Sequence, residues 1–558
     1  MNIIKYRTHT CGELNTNNIG QYVILSGWIH NIRNFGYFSF LDLRDRFGIT
    51  QLKINNQIYN TSVISNESII TIKGTVLERS KINENLYTGK IEVLVNKIKV
   101  LNDSKKIPII IANKKNNESI RLKYRYLDLR SELLTNNIIM RNKTYIEIRK
   151  YLLNCSFLEI DTPILSVPTS EGARNFTVKY RFDQKYSYSL SQSPQIFKQL
   201  LMIGGFDKYF QFAKCFRDED FRRNRQIEFT QLDCEMSFIN SDEILKIFER
   251  LIIILIKKLN GENIKRIKRI TYKEAIEKYG TDKPDTRYSL KFTNITKLVF
   301  NDKINIVKQK KETIAIKIPF YFFKNNNNVY KSLIKTVKTN DIKIKDIVFI
   351  SNNIVNKAKY NITKKIKNNI KKLVKASKKD IIVIFFDQNF LKLGKLRKTI
   401  YKTLRPKLKK KISPLWITKF PLFKKVNNKL KSVHHPFTAP IPEHIKYLKT
   451  KPEIVKSQSY DLIINGIEIG GGSIRINKKD LQKKIFSLLG YSKQKIKVEF
   501  GFFLEALEFG TPPHGGIAFG IERLMSILTL EKDIKNFIAF PKNKYGIDLM
   551  CKTPRKIL

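Results

Sequence analysis

One stretch constrains this chain more than any other: Lys208–Phe238, KYFQFAKCFRDEDFRRNRQIEFTQLDCEMSF. Its pattern predicts two strands joined by a charged loop, roughly Asp220 to Arg225, that carries three arginines. Successive side chains on a strand point to opposite sides. Phe229, Gln231, Asp233 and Glu235 therefore share one face, and Arg217 and Glu219 likewise share a face. One sheet surface thus presents an arginine, several carboxylates, an amide and an aromatic ring. Unpaired buried charge is costly, so a purely structural sheet seldom aims that mixture at one side. A site holding a polyanion, a purine and a zwitterion together needs it; a solvated hairpin with an ordinary charged face is the alternative.

With 558 residues, the chain is long enough for about three or four domains and a large core. Its net charge of +56, from 105 Lys+Arg against 49 Asp+Glu, favours an anionic partner, with nucleic acid first. Lys, Asn, Ile, Phe and Tyr are abundant throughout, which AT-rich codons also produce, so the charge is only moderate evidence. None of the five cysteines forms a Cys-x-x-Cys pair, which argues against a metal-thiolate site and for a reducing compartment. The start, MNIIKYRTHTCGEL, lacks the apolar core of a signal peptide. The aliphatic run Leu251 to Ile256 is too short to span a membrane and predicts a buried helix face. No membrane partner and a cytoplasmic location are therefore expected.

Residues 20–101 predict a small β domain, with strands at Tyr22–Ile29, Tyr37–Leu43, Ile49–Ile54, Ile69–Val76 and Ile91–Val100. Five short strands in that length suit an OB-type barrel. That fold commonly binds single-stranded nucleic acid by stacking bases on strand aromatics. Phe38 and Phe40 alternate on the second strand, with Arg33 just before it and Gln51 on the third; one of the two rings is expected to fill the barrel. A polar link over 102–135 precedes helical spacing at Asn137–Asn154, and in FLEIDTPIL Pro163 closes a short extended piece. Glu171 sits beside Gly172 in a loop, where a backbone can approach a ligand closely. A strand at Tyr188–Leu190 leads to a helix opened by Pro194, whose start presents Ser193, Gln195 and Lys198. A further helix is expected at Asp242–Asn260. Residues 291–410 are dominated by lysine and asparagine and hold no motif, which predicts an inserted domain with a solvated basic surface.

The second informative stretch is SYDLIINGIEIGGGSIRI. Asn465-Gly466 is a preferred hairpin turn. In that register Ile463 opposes Glu468, so Asp461 and Glu468 lie diagonally on one face. Two such carboxylates suit a Mg²⁺ ion shared with phosphates, and no cation occurs in the hairpin before Arg475. Gly470-Gly471-Gly472 leaves room for a flat ligand. HHPFTAP places His434 and His435 before a turn, and GTPPHGGIAFGIERLMSIL is a glycine-rich strand entering a helix, with Gly520 and Arg523 at the junction.

Together these pieces resemble class II aminoacyl-tRNA synthetases, and within them bacterial aspartyl-tRNA synthetases, over nearly the whole length. FLEIDTPIL resembles motif 1, FRDED with RQIEFTQLDCEMSF motif 2, and GIAFGIERL motif 3; SEGARNF, QSPQIFKQLLM, HHPFTAP, NGIEIGGGSIRI and FGTPPHGG resemble sub-family signatures in the same order. The resemblance implies an α+β multidomain protein: an N-terminal OB-fold barrel plus a class II synthetase antiparallel-sheet catalytic domain with an inserted α/β domain. The implied boundaries are 1–105 for anticodon binding, 106–135 for a hinge, 136–290 and 411–558 for the catalytic domain, and 291–410 for a degenerate insertion. It implies that Arg217 holds the aspartate carboxylate and the α-phosphate, that Phe229 stacks on adenine with Glu219 near its amino group, and that Arg523 binds the γ-phosphate side. Asp218, Gln226, Glu468, Gly520, Ile521 and Glu522 complete the implied ATP contacts. Glu171, Gln195 and Asp233 surround the substrate ammonium, Lys198, Arg475 and His434 face its side-chain carboxylate, and Asp461 with Glu468 holds Mg²⁺. Arg33, Phe40, Gln51 and Glu92 match positions that read the anticodon, and motif 1 implies a homodimer. Three departures stand out: the insertion is poorly recognisable, Glu522 replaces the usual Asp before the motif 3 arginine, and the chain stops at Leu558, soon after AFPKNKYGIDLMCKTP, where a further helical tail is expected of the family, so weaker dimer or tRNA contacts are expected at that end.

The implied function is aspartate–tRNA ligase, with tRNA, L-aspartate and ATP as partners. Alternatives are a form that also charges the asparagine tRNA, an asparaginyl or lysyl enzyme, an amide-forming relative without tRNA, or a non-catalytic RNA-binding protein. The barrel argues against the tRNA-free form, and intact residues in all three motifs argue against the last.

Overall fold

The computed structural model describes residues 6–59, 64–111, 116–168, 173–220, 224–300, 312–322, 329–338, 347–350, 363–385, 389–408 and 410–556. The chain divides into two compact units, one of 1–139 with 539–543 and 547–558, the other of 140–538 with 544–546.

In the first unit, β1 (Tyr22–Phe35), β2 (Phe38–Arg44), β3 (Ile49–Asn55), β4 (Ile69–Glu78) and β5 (Ile91–Asn102) close a barrel in the order β1-β2-β3-β5-β4. The β3–β5 pair is parallel and the other pairs are antiparallel. Burial alternates along β2, so Ser39, Leu41 and Leu43 point inward. Phe38 and Phe40 both lie on the outer face, contrary to the expectation that one fills the barrel. The two leucines already occupy the inner positions of the same period-two pattern.

In the second unit the elements around the site are α1 (Glu132–Asn154, which begins in the first unit), β6 (Leu158–Glu159), α2 (Gln195–Ile203), β7 (Lys208–Phe216), β8 (Glu228–Ser237), α3 (Ser241–Asn260), β9 (Lys268–Thr271), β10 (Pro414–Thr418), β11 (Ser459–Ile464), β12 (Ile467–Ile474), β13 (His514–Gly520) and α4 (Ile521–Leu528). The eight strands form one sheet, ordered β9-β10-β11-β12-β13-β8-β7-β6. Pairing is antiparallel except at the two edges, β9–β10 and β7–β6. One face is apolar: Leu232, Cys234 and Met236 of β8 pack with Phe248, Leu251, Ile252 and Leu255 of α3 and Leu524 and Met525 of α4. Asn240 starts α3 by accepting from the Asp242 and Glu243 backbone N–H groups, and Gly261 ends it in the left-handed conformation that glycine adopts freely. The opposite face of the sheet carries the polar side chains.

The segment expected to be degenerate builds a core of its own. Four antiparallel strands run in the order Phe292–Asn294, Ile314–Ile318, Ile381–Phe385, Ile347–Ile350. Ile314, Ile316 and Val383 pack with Leu393, Leu396 and Ile400 on one face, and Ala315, Ile382 and Ile384 with Ile366 and Ile370 on the other. Its last helix, Phe390–Leu404, meets the end of helix Tyr272–Tyr279 backbone to backbone. A Cβ on Gly394 would lie 2.0 Å from the Gly280 carbonyl oxygen.

Among the described residues no helix is long and apolar enough to cross a membrane, and all five cysteines are free.

Candidate active site

The polar face of the large sheet floors a cavity of about 310 Å³. The alternation on β8 sends Phe229, Gln231 and Asp233 into it, while Leu232 and Cys234 go to the core. β7 runs out into Arg217 and Glu219 at the rim, α2 contributes Gln195 and Lys198 from its first turn, and the β13–α4 junction contributes Gly520, Glu522 and Arg523. Asp461 comes from β11, Glu468 from β12, Arg475 from just beyond β12, and His434 from a loop. Two carboxylates crowd against glycines of the sheet. A Cβ on Gly471 would lie 2.5 Å from Asp461 Oδ1, and one on Gly516 2.0 Å from Glu235 Oε2. Part of the room that the triple glycine provides is thus taken by a carboxylate.

The deep end is a closed charge network. Lys198 Nζ lies 2.7 Å from Asp233 and 3.0 Å from Glu235. Arg475 donates from Nε to Glu235 at 2.9 Å and from Nη1 to the Ser473 hydroxyl at 2.9 Å. Burial alone would raise the Glu235 carboxyl, but Arg475 and Lys198 outweigh it and hold it at about 2. For Asp233 burial wins, and its carboxyl is pushed up despite Lys198. Beside this network Gln195 Nε2 is buried without an acceptor, a donor aimed where a ligand oxygen would satisfy it.

The mouth is held more loosely. Arg217 lies 5.1 Å over the Phe229 ring and donates to the Gln192 carbonyl at 3.3 Å. Arg523 donates to the Asn224 carbonyl at 3.4 Å. Glu219 pairs with Arg225. His434 Nε2 lies 3.2 Å from Asp461, which raises the imidazole above its ordinary value although burial opposes it. Glu468 is paired at 2.5 Å with Lys283.

A family model described as "tRNA synthetases class II (D, K and N)" matches residues 117–544, and one described as an OB-fold nucleic acid binding domain matches residues 23–101. The chain belongs to the class II tRNA synthetases. It is 40% identical to an aspartate–tRNA ligase of Flavobacterium psychrophilum, covering 98% of this chain and 97% of that one. It is 42% identical to an aspartate–tRNA(Asp/Asn) ligase of Dictyoglomus turgidum, covering 99% and 96%. Among solved structures, asparaginyl-tRNA synthetase from Pyrococcus horikoshii complexed with asparaginyl-adenylate shares the fold, with a TM-score of 0.62, 19% identity, and 97% and 98% of the two chains covered.

In this synthetase fold the cavity gathers most of the residues expected there, including Arg217, Glu219, Gln226, Phe229 and Arg523. Two expected residues lie elsewhere, and a third is not among the described residues. Asp218, between Arg217 and Glu219, does not line the cavity and pairs with Arg174 at 3.1 Å. Ile521 is fully buried in the core beneath the junction. Glu171 lies outside the described residues. Glu522 lines the cavity, but its carboxylate accepts from Arg141 at 2.8 Å and from the Thr230 N–H at 3.2 Å, so it ties the β13–α4 junction to β8. Lys198 and Arg475 both pair with the β8 carboxylates while lining the cavity.

The β11–β12 register has the expected Ile463↔Glu468 pair, with an irregularity between Leu462 and Ile463. The hairpin carboxylates are nevertheless paired, because Lys283 and His434 arrive from outside the hairpin. Lys283, in TDKPDTR, has no sequence signal beyond two flanking aspartates. Among the described residues no group of three or more His, Cys, Asp or Glu could hold a metal alone. Mg²⁺ keeps waters and takes one or two carboxylates beside substrate phosphates, so Asp461 and Glu468 fit that ion as partners of a phosphate.

In the barrel the four expected residues are neighbours. Arg33 makes a two-pronged pair with Asp42 at 2.7 and 2.8 Å and reaches Gln51 at 3.2 Å, and Gln51 donates to Glu92 at 2.7 Å. Phe40 is the cross-strand partner of Arg33, with its ring 5.8 Å from that of the exposed Phe35.

Proposed function

We propose that this chain is an aspartate–tRNA ligase that joins L-aspartate to the 3′ end of tRNA at the expense of ATP. The observation carrying this reading is one cavity that combines a closed network of two cations and two carboxylates at its base with two loosely held arginines at its mouth, in a chain matched end to end by relatives named aspartate–tRNA ligases. In the first step an oxygen of the aspartate α-carboxylate attacks the α-phosphorus of ATP. The bond from that phosphorus to the bridging oxygen breaks, and pyrophosphate leaves. In the second, a hydroxyl of the terminal tRNA ribose attacks the acyl carbon and AMP leaves. Neither step needs a protein nucleophile; alignment and charge stabilisation supply the rate.

Arg217 grips the α-carboxylate and α-phosphate, Phe229 stacks on adenine with Glu219 and Gln226 nearby, and Arg523 binds the γ-phosphate. Lys198, Arg475 and His434 bind the side-chain carboxylate; Gln195, Asp233 and Glu171 surround the ammonium. Asp461 and Glu468 would hold Mg²⁺, which supplies neutralisation of phosphate charge. Arg33, Phe40, Gln51 and Glu92 read the anticodon, the protein works in the cytoplasm, and the motif 1 region forms a homodimer. Residues 1–105, 106–135, 136–290 with 411–558, and 291–410 serve as anticodon domain, hinge, catalytic domain and insertion.

A second reading, in which the asparagine tRNA is charged as well, is favoured by the name of the Dictyoglomus turgidum relative. Charging of transcripts with the aspartate and asparagine anticodons separates the two. The proposal expects aspartate on the first; charging of neither transcript overturns it.

A further inference from the structure

Lys283 has no part in the reading above, yet the fold delivers it by a rigid route to Glu468, which lines the cavity. Its segment, TDKPDTR, is pinned beside the Asn465-Gly466 turn. Arg287 holds Asp285 with bonds of 2.7 and 3.0 Å, and the buried Arg397 donates to the Asp285 carbonyl at 2.7 Å and the Leu290 carbonyl at 2.5 Å. The Thr286 and Ser413 hydroxyls lie 2.7 Å apart. A Cβ on Gly466, at φ +79, would stand 3.1 Å from the Asp285 Cβ. The backbone after Lys283 is thus fixed against the β11–β12 hairpin. Its side chain is 41% exposed and places Nζ 2.5 Å from Glu468 Oε2.

Glu468 is also a carboxylate suited to a divalent ion, on the same cavity as Arg523. A divalent ion arriving on Glu468 repels the ammonium and brings the phosphate oxygens with it. Lysine is suited to follow: its four-carbon stem swings a compact charge with three donors, while the pinned backbone stays in place. Resting on the reading of this cavity as an ATP site, we propose that Lys283 is a polyphosphate-binding residue that covers Glu468 in the free protein and moves onto the β- and γ-phosphates when Mg²⁺-ATP binds. The insertion, through Arg397, holds the segment from which it reaches.

The test compares wild type, Lys283→Met and Lys283→Arg by calorimetry without aspartate, so that no reaction intervenes. Mg²⁺-ATP binding should weaken about ten- to a hundredfold in Lys283→Met, the scale of one charge-assisted hydrogen bond. Adenosine binding should be unchanged, and Lys283→Arg should recover most of the loss. Mn²⁺ alone, titrated by electron paramagnetic resonance, should bind Lys283→Met more tightly than wild type, because the competing ammonium is gone. Mg²⁺-ATP affinity within twofold of wild type in Lys283→Met overturns the proposal. So does equal loss for ATP and adenosine, which marks a residue that only shapes the fold. A wild type that binds no Mg²⁺-ATP refutes the reading of the site itself.

Discussion

At the base of the cavity, Lys198, Asp233, Glu235 and Arg475 are at most 6% exposed, and Glu235 ties the two cations together through bonds of 3.0 and 2.9 Å. At its mouth, Arg217 and Arg523 are half-buried and form no ion pair with a carboxylate among the described residues; each donates to one carbonyl, at 3.3 and 3.4 Å, and Arg217 also lies over the Phe229 ring. The base has its charge geometry before any ligand arrives; the mouth acquires it from the ligand. Preorganised donors in a dry site discriminate strongly, because an analogue that fails to match leaves them unpaired. Loosely held cations suit a group that changes charge and position during the reaction, as a leaving pyrophosphate does. The two ends should therefore respond differently to substitution.

The largest effect is expected at the base. Glu235→Ala leaves the buried Arg475 without its carboxylate partner and Lys198 with Asp233 alone, and removing one partner of a buried pair costs about 3–5 kcal/mol. Thermal unfolding should show a large loss of stability together with loss of activity. A stable, active Glu235→Ala protein would remove the network from the account. The pH dependence has a definite sign. With its folded value at about 2, below the ordinary carboxyl value of 4.5, Glu235 contributes fully above that ordinary value and loses its contribution as pH falls towards 2. The stability gap between wild type and Glu235→Gln should hold constant above about pH 5 and shrink below it.

At the mouth the signature should invert. Arg217→Lys keeps a charge but loses the planar fork. Aspartate-dependent pyrophosphate exchange should fall at least about a hundredfold, the scale of one lost transition-state donor, with the melting temperature unchanged. A matching fall in stability would show that the mouth is built like the base. In the barrel, Phe40→Ala should weaken tRNA binding by about 1–3 kcal/mol and spare exchange; equal losses in both assays would give the barrel a structural role instead. The smallest effect is expected from Asp461→Asn, which should raise the Mg²⁺ concentration needed for half-maximal exchange severalfold, and an unchanged titration counts against Asp461 as a metal ligand.

The contrast between base and mouth was only half legible in the sequence. Period-two alternation gave the polar face of β8 and the hairpin register directly, because local patterning decides both. The same parity placed Asp218 opposite Arg217 and Glu219, so its absence from the cavity was readable too. The pairings that make the base rigid join residues of α2, β8 and the end of β12, and Lys283 reaches Glu468 from far along the chain; no local pattern carries such contacts. The insertion hid for another reason. Residues 291–410 hold 32 Lys+Arg against six Asp+Glu, and strands such as Ile381–Phe385 are buried on both faces. They show continuous apolar runs rather than alternation.

In the proposed function the base reads a carboxylate through cations fixed in advance. Pyrophosphate exchange with L-aspartate and L-asparagine, on wild type and on Arg475→Leu, is the direct test. Wild type should accept aspartate and essentially reject asparagine, and Arg475→Leu should lose activity together with most of that preference. A mutant that rejects asparagine as strongly as wild type, or a wild type that prefers asparagine, contradicts that reading.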